Sequence, residues 1–235
     1  SQLIGARAAF LHQESGFFDS FLVQEGLIDE DRFVPMFGIY GMAEAVNLLM
    51  DKENLPERYG HDDEANQLGY RISAQLSRHV TETPQVHAWG GRALLHSQGG
   101  LSVDRGVTPG VRIPYGQEPD PASHVLALAP HHGFYHSGIS EILTLDPTIR
   151  QNPQALLQLC KGALAIGMRE FTANVADSDL VRVTGYMIRK SDVARFATEG
   201  SRLQTTCLGA EASELTAIRQ RAPRVVGREA TLCDY

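Results

Sequence analysis

Three histidines fall within six residues, at His131, His132 and His136. Imidazole nitrogens are common metal ligands, and the His132–His136 spacing would place both on one face of a helix. Gly133 and Gly138 argue against a continuous helix there, and no third ligand follows at a recognised spacing. The expectation is therefore no metal and no bound cofactor. His132 and His136 are read as uncharged or hydrogen-bonded groups beside a pocket. A metal hydrolase built on His131, His132 and His136 is the alternative. Glu44, ahead of an apolar helical run, is a second pocket candidate, as a carboxylate that could bind substrate or simply favour a helix N-terminus. Arg105 and Arg112 are candidate anion contacts, and Arg92 and His96 read as satisfied structural groups. The cysteines, Cys160, Cys207 and Cys233, are odd in number and widely spaced, which fits neither a disulfide framework nor a zinc ribbon.

The segment Leu180-Val-Arg-Val-Thr-Gly-Tyr-Met-Ile-Arg189 sets a single glycine between an apolar, basic run and an aromatic. On residue type alone it is a short strand, a tight turn at Thr184-Gly185, and then a helix near Ser191-Asp192 with Ser191 as its N-cap.

The elements that must position these residues can be read from periodicity. Ser1 to Glu14 has helical spacing, and Phe17, Phe18, Phe21 and Leu22 after it read as core or as a docking face. Phe33 to Tyr40 reads as a strand and Met42 to Met50 as a helix. His61 to Val80 is a long amphipathic helix with Ala65, Leu68, Ile72 and Leu76 on one face. Val86 to Trp89 reads as a strand. Gln98 to Asp120 is a Gly/Pro-rich loop of a length typical of lids and binding loops. Ser123 to Ala129 reads as a buried strand. Asn152-Pro153 opens a helix that runs to Gly167, with Cys160 in its apolar stripe, and Phe171 to Val175 is a strand. Further helices are expected at Ser191 to Thr198 and Ser213 to Arg221.

Arg182-Val183-Thr184-Gly185-Tyr186 resembles the RVxGY signature of glycyl radical enzymes. Phe37-Gly38-Ile39-Tyr40-Gly41-Met42-Ala43-Glu44 is similar to the strand–loop–helix of the anaerobic ribonucleotide reductases and related proteins. The whole chain most resembles the C-terminal half of the YjjI-type glycyl radical proteins. The resemblance implies that Gly185 carries a backbone radical, with Arg182, Val183, Thr184 and Tyr186 forming its loop. It has a physical rationale. An α-carbon radical is stabilised between a donating nitrogen and a withdrawing carbonyl only when planar, and a side chain would crowd that plane. The resemblance further implies an α/β fold, half of a ten-stranded β/α barrel closed around a buried radical loop. Residues 1–235 would form one unit, with a glycyl radical domain at about 150–235. The radical would be installed by an iron–sulfur activase that uses S-adenosylmethionine. It would then pass to a cysteine in an N-terminal half, and the thiyl radical would take hydrogen from a small-molecule substrate. Ala43, where the reductases have a polar residue, speaks against a nucleotide.

The totals narrow the partners. Hydrophobic residues make up 43% and charged residues 21%, as in ordinary globular proteins. A net charge of −7 without a Lys/Arg cluster argues against a nucleic-acid surface. No run is long enough to span a bilayer, and a cytoplasmic homo-oligomer is expected. The chain opens inside a helical pattern, so a piece of a longer protein is expected. A radical carrier or repair module without substrate chemistry is the remaining alternative.

Overall fold

The computed structural model describes residues 2–97, 107–114, 116–136, 138–139, 141–183 and 186–199. Seven α-helices and six strands lie along them. The helices are α1 Gln2–Gln13, α2 Phe21–Gln24, α3 Met42–Lys52, α4 Asp63–Glu82, α5 Pro121–Leu128, α6 Pro153–Ala165 and α7 Lys190–Glu199. The strands are β1 Met36–Gly38, β2 Leu94–His96, β3 Glu141–Leu145, β4 Phe171–Val175, β5 Leu180–Val183 and β6 Tyr186–Arg189. Strands β1 and β2 pair in parallel, as do β3 and β4, while β5 and β6 form an antiparallel pair. Each parallel pair is joined through helices, α3 and α4 in the first case and α6 in the second, as parallel connections require. The molecule is thus mixed α/β with small sheets.

Several elements match the sequence reading. Helix α3 starts at Met42, and Ala43, Val46 and Met50 bury one of its faces. Helix α4 buries Ala65, Gly69, Ser73 and Val80 at helical spacing, with Leu68, Ile72 and Leu76 packed beside them. Helix α6 starts at Pro153 under an Asn152 cap, whose side chain accepts from the Ala155 N–H. Cys160 is half-buried. Strand β4 is present, and its partner β3 went unrecognised in the sequence.

Three readings are corrected. Ser123–Ala129 is not a strand. Asp120 accepts hydrogen bonds from the Ala122 and Ser123 amides and Pro121 occupies the first turn, so the run is helical. His124, Val125, Leu128 and Ala129 are buried while Leu126 is 64% exposed, a helical rather than an alternating pattern. Val86–Trp89 is not a strand either. Gly90 and Gly91 take positive φ, a 3-10 turn runs from Trp89 to Gly91, and the extended segment starts later at Leu94. The strand expected over Phe33–Tyr40 is shortened to Met36–Gly38. At the other end, Phe18 is buried against His12 and Phe33, whereas Phe17 and Phe21 are exposed. The helix expected at Ser213–Arg221, Cys207, Cys233 and Arg105 lie outside the described residues.

Two features fix the centre. One is a close crossing: the Gly110 amide donates to Ile39 O, and the Val111 amide donates to Ser97 Oγ. Gly110 sits at φ 61, and a Cβ there would come within 2.5 Å of Ser97 O. The other is a file of polar groups buried under α4. The Tyr59 hydroxyl donates to Val111 O at 2.7 Å, and its oxygen lies 3.4 Å from His131 Nε2. His131 Nδ1 is 2.9 Å from Ser73 Oγ, which is 3.0 Å from the Tyr135 hydroxyl. A carbonyl only accepts, so the file has one consistent direction. Tyr135 donates to Ser73, Ser73 to Nδ1 of neutral His131, and His131 Nε2–H to Tyr59. Burial, helped by His132, pushes His131 down to about 4, and burial raises Tyr135 to about 12.

Two outcomes follow. Gly110→Ala meets both an unfavourable φ and the Ser97 backbone, so urea unfolding of the full-length protein should show a loss of about 2–4 kcal/mol. His131 titrates lower folded than its ordinary 6.5, so its contribution is whole above that value and is lost as pH falls toward 4. The loss amounts to about 3 kcal/mol over that window. The urea midpoint of wild type should therefore fall more steeply between pH 7 and 4.5 than that of His131→Gln. Equal slopes would refute the neutral-imidazole file.

Candidate functional site

The segment carrying the radical-type motif is a hairpin. Strands β5 and β6 pair Leu180 with Arg189, Val181 with Ile188, Arg182 with Met187 and Val183 with Tyr186. Thr184 and Gly185 lie outside the described residues. The sequence reading ran the chain from the turn toward a helix at Ser191; a return strand intervenes, and α7 begins at Lys190. The base of the hairpin is tied down. Asp179 accepts from the Ser191 amide and the Ser191 hydroxyl, each at 2.8 Å, and its carbonyl accepts from the Lys190 amide at 2.8 Å. Lys190 Nζ donates to Ala176 O at 2.9 Å. Ser191 therefore does not act as the expected cap; its hydroxyl donates to the Asp179 carboxylate, which takes the first-turn amide. The two hydrogen bonds from Ser191 hold Asp179 below the usual carboxylate range. The end of β4 and the start of α7 are thereby joined at the hairpin base, with the Val183–Tyr186 pair at the opposite end.

Glu44 lies in the first turn of α3, after Gly41 in the left-handed region at φ 78. Glu44 Oε1 accepts from the Thr108 amide at 2.9 Å and from the Thr108 hydroxyl. The Gly41 amide in turn donates to Thr108 O at 2.7 Å. Glu44 thus clasps the 107–111 segment to the β1–α3 junction. Its other oxygen, Oε2, is buried with no hydrogen-bond partner. Glu44 remains a carboxyl with one committed and one uncommitted oxygen.

The three histidines diverge. His131 and His132 are buried within a 3-10 turn that extends α5, and His136 is exposed. His131 belongs to the file beneath α4. His132 Nδ1 accepts from the Arg169 amide at 3.1 Å, and burial lowers its pKa, with Glu170 and Glu141 opposing and Arg169 assisting. Among the described residues no group of three or more His, Cys, Asp or Glu side chains is placed to hold a metal ion.

A further carboxylate near His132 is Glu141, which begins β3 and is 1% exposed. Glu141 Oε1 accepts from the Ile142 amide at 2.9 Å, lies 3.4 Å from His124 Nε2, and lies 3.9 Å from Arg112 Nε. Arg112 was expected to contact an external anion; its acidic neighbour belongs to its own chain. Glu141, His124 and Tyr59 were not singled out in the sequence. The available signal was a lone carboxyl opening the apolar run Glu141-Ile-Leu-Thr-Leu145, a placement that buries a charge without an adjacent partner.

Comparison with known proteins identifies the family of the sequence. Residues 1–224 match the family described as glycyl radical enzyme YjjI-like. A protein of Escherichia coli strain K12, described as uncharacterized protein YjjI, is 60% identical over 228 residues. That similarity covers 97% of this chain and 44% of the relative. An uncharacterized protein of Haemophilus influenzae is 33% identical over 225 residues, covering 93% of this chain and 44% of that relative. The chain therefore spans a little under half the length of these relatives. Among the described residues no helix is long and apolar enough to cross a membrane. With the match extending over nearly the whole sequence and through the Arg182–Tyr186 motif, the chain belongs to the YjjI-like glycyl radical enzyme family.

Proposed function

We propose that Gly185 stores a backbone radical for hydrogen-atom chemistry on a small-molecule substrate. The observation that carries the reading is the Arg182-Val183-Thr184-Gly185-Tyr186 motif in a chain of a glycyl radical enzyme family. A separate iron–sulfur activase using S-adenosylmethionine removes one α-hydrogen from Gly185. The glycyl radical takes hydrogen from a cysteine S–H supplied by the N-terminal part of the full-length protein. The resulting thiyl radical takes hydrogen from a substrate C–H, and the steps reverse after rearrangement. Arg182, Val183, Thr184 and Tyr186 shape the loop that keeps this carbon planar and dry. Glu44, His132 and His136 are assigned to the substrate side.

In this reading residues 1–235 are the C-terminal half of a ten-stranded barrel, with the glycyl radical domain at about 150–235, acting in a cytoplasmic homo-oligomer. Two-stranded parallel pairs support it, because such pairs occur in larger sheets covered on both faces. The metal hydrolase alternative loses ground, since both ring nitrogens of His131 are engaged in the buried file and His136 is exposed.

Incubating the full-length protein anaerobically with its activase should give a doublet in the electron paramagnetic resonance spectrum. Gly185→Ala should abolish it, and admitting air should cleave the wild-type chain at Gly185. A doublet that survives Gly185→Ala, or no doublet under conditions that activate a relative, would refute the assignment.

A further inference from the structure

The segment from Leu3 to Ile28 carries apolar side chains that stay in water. Leu3, Phe10, Phe17, Phe21, Leu27 and Ile28 are 45–80% exposed. Helix α1 buries only Ala8, and α2 buries none of its residues. Exposed apolar residues scattered singly are ordinary; six in one short segment mark a surface that meets something.

The surface has a groove and a fixed frame. An open groove of about 480 Å3 runs between α1 and the 83–87 segment, with Gly5, Ala6 and Ala9 on one wall and Pro84, Val86 and His87 on the other. Val86 is 92% exposed. The groove continues into an aromatic cluster. His87 stacks on His12 with ring centroids 5.3 Å apart, and His12 packs against Phe18 at 4.5 Å and Phe33 at 5.4 Å. Phe17 lies edge-on to Phe18 at 5.0 Å. The Trp89 amide donates to Phe33 O and the Gln85 amide to Gly91 O, each at 2.8 Å. Trp89 is nevertheless 63% exposed. The backbone that presents Phe17, Val86 and Trp89 is thus already held in place, which lowers the cost of association, and an exposed tryptophan on such a frame is a strong anchor for a partner.

Charge and length select the occupant. From Gln2 to Phe33 six exposed carboxylates, Glu14 to Asp31, stand against two exposed arginines, Arg7 and Arg32, and Asp29 already takes Arg32 at 3.2 Å. A second copy seated through the same face would set this acidic edge against itself. The chain spans 44% of its relatives' length, so in a protein of that length more than half of the sequence is left to supply the cover. On the same polypeptide it would meet the groove at a high effective concentration. We propose that the groove between α1 and the 83–87 segment, with Phe17, Val86 and Trp89 beside it, docks an apolar segment flanked by basic residues from the N-terminal part of the full-length protein. Placing that part N-terminal rests on the reading above; the docking itself requires no radical.

The test uses the unactivated full-length protein. A Val86→p-benzoylphenylalanine variant is irradiated, and the cross-linked peptides are identified by mass spectrometry. The expected product is a link within one molecule, to a peptide that precedes Ser1 and carries lysine or arginine beside apolar residues. Links to a second copy, links only within residues 1–235, or a link to an acidic peptide would overturn the proposal. Hydroxyl-radical footprinting of the wild type needs no variant, so it stands even if the variant fails to fold. Trp89 and Phe17 should oxidise at least about tenfold more slowly than free side chains of their type, because docked anchors are desolvated, and dilution should not change this. Oxidation at the rate of exposed side chains, or protection lost on dilution, would overturn the proposal. The cross-link without a Gly185 doublet would retain the docking and refute the radical reading; a doublet without the cross-link would do the reverse.

Discussion

A polar atom taken out of water must find a partner, and this constraint governs the centre of the molecule. Tyr59, Ser73, His131 and Tyr135 are all buried, and each is held by the next. An unpaired member would cost more than a hydrogen bond ordinarily contributes, since the full desolvation penalty stands without compensation. The file therefore locks α4, the 3-10 turn after α5 and the 107–111 segment into one register. The carbonyl at Val111 sets its direction, because it can only accept. From that one acceptor the tautomer of His131 and the hydroxyl orientations of Tyr59, Ser73 and Tyr135 are all determined.

The same constraint distinguishes side chains whose polar atoms are paired from those left half-paired within the chain. Asp179 and Thr108 are occupied in holding segments together. Glu44, Glu141 and His132 are each half-occupied: one polar atom is fixed by a backbone amide, which orients the side chain, and the other is buried and free. Satisfied groups such as Ser73 have no capacity left to offer a ligand.

Much of this was legible in the sequence where a signal is local. Helices α3, α4 and α6 announce themselves by 3.6-residue periodicity, and α6 also by the Asn152-Pro153 cap at its start. The motif at Arg182–Tyr186 was legible as a resemblance to the signature of the family to which the chain belongs. Helix α5 was misread because a short apolar run such as Val125–Ala129 fits a buried strand or a helix equally well. The Asp120-Pro121 cap, five residues upstream, was the deciding feature. Pairings across long separations carried no sequence signal. Arg112 and Glu141 are 29 residues apart and Ser73 and His131 are 58 apart, and nothing local to either member names the other. The return strand β6 was missed for a related reason: Tyr186–Arg189 lacks alternation of its own and is extended because β5 lies beside it.

The strand pairs bear on how the radical reading and the length of the chain depend on each other. Parallel sheets are covered on both faces and draw their stability from several strands, and a lone pair is marginal in water. Here β1–β2 and β3–β4 are each two-stranded among the described residues, and the chain accounts for 44% of its relatives' length. If the rest of the full-length protein adds the neighbouring strands, as proposed, the segment that completes the sheets is also the one that brings the cysteine. Closure of the sheet and contact between the cysteine and Gly185 then become a single event. A radical carbon needs dryness and a nearby hydrogen donor, and both would be met only in the assembled barrel. A protein built this way would not expose a stored radical to solvent while incomplete, because the fold that shelters the radical and the fold that uses it are the same.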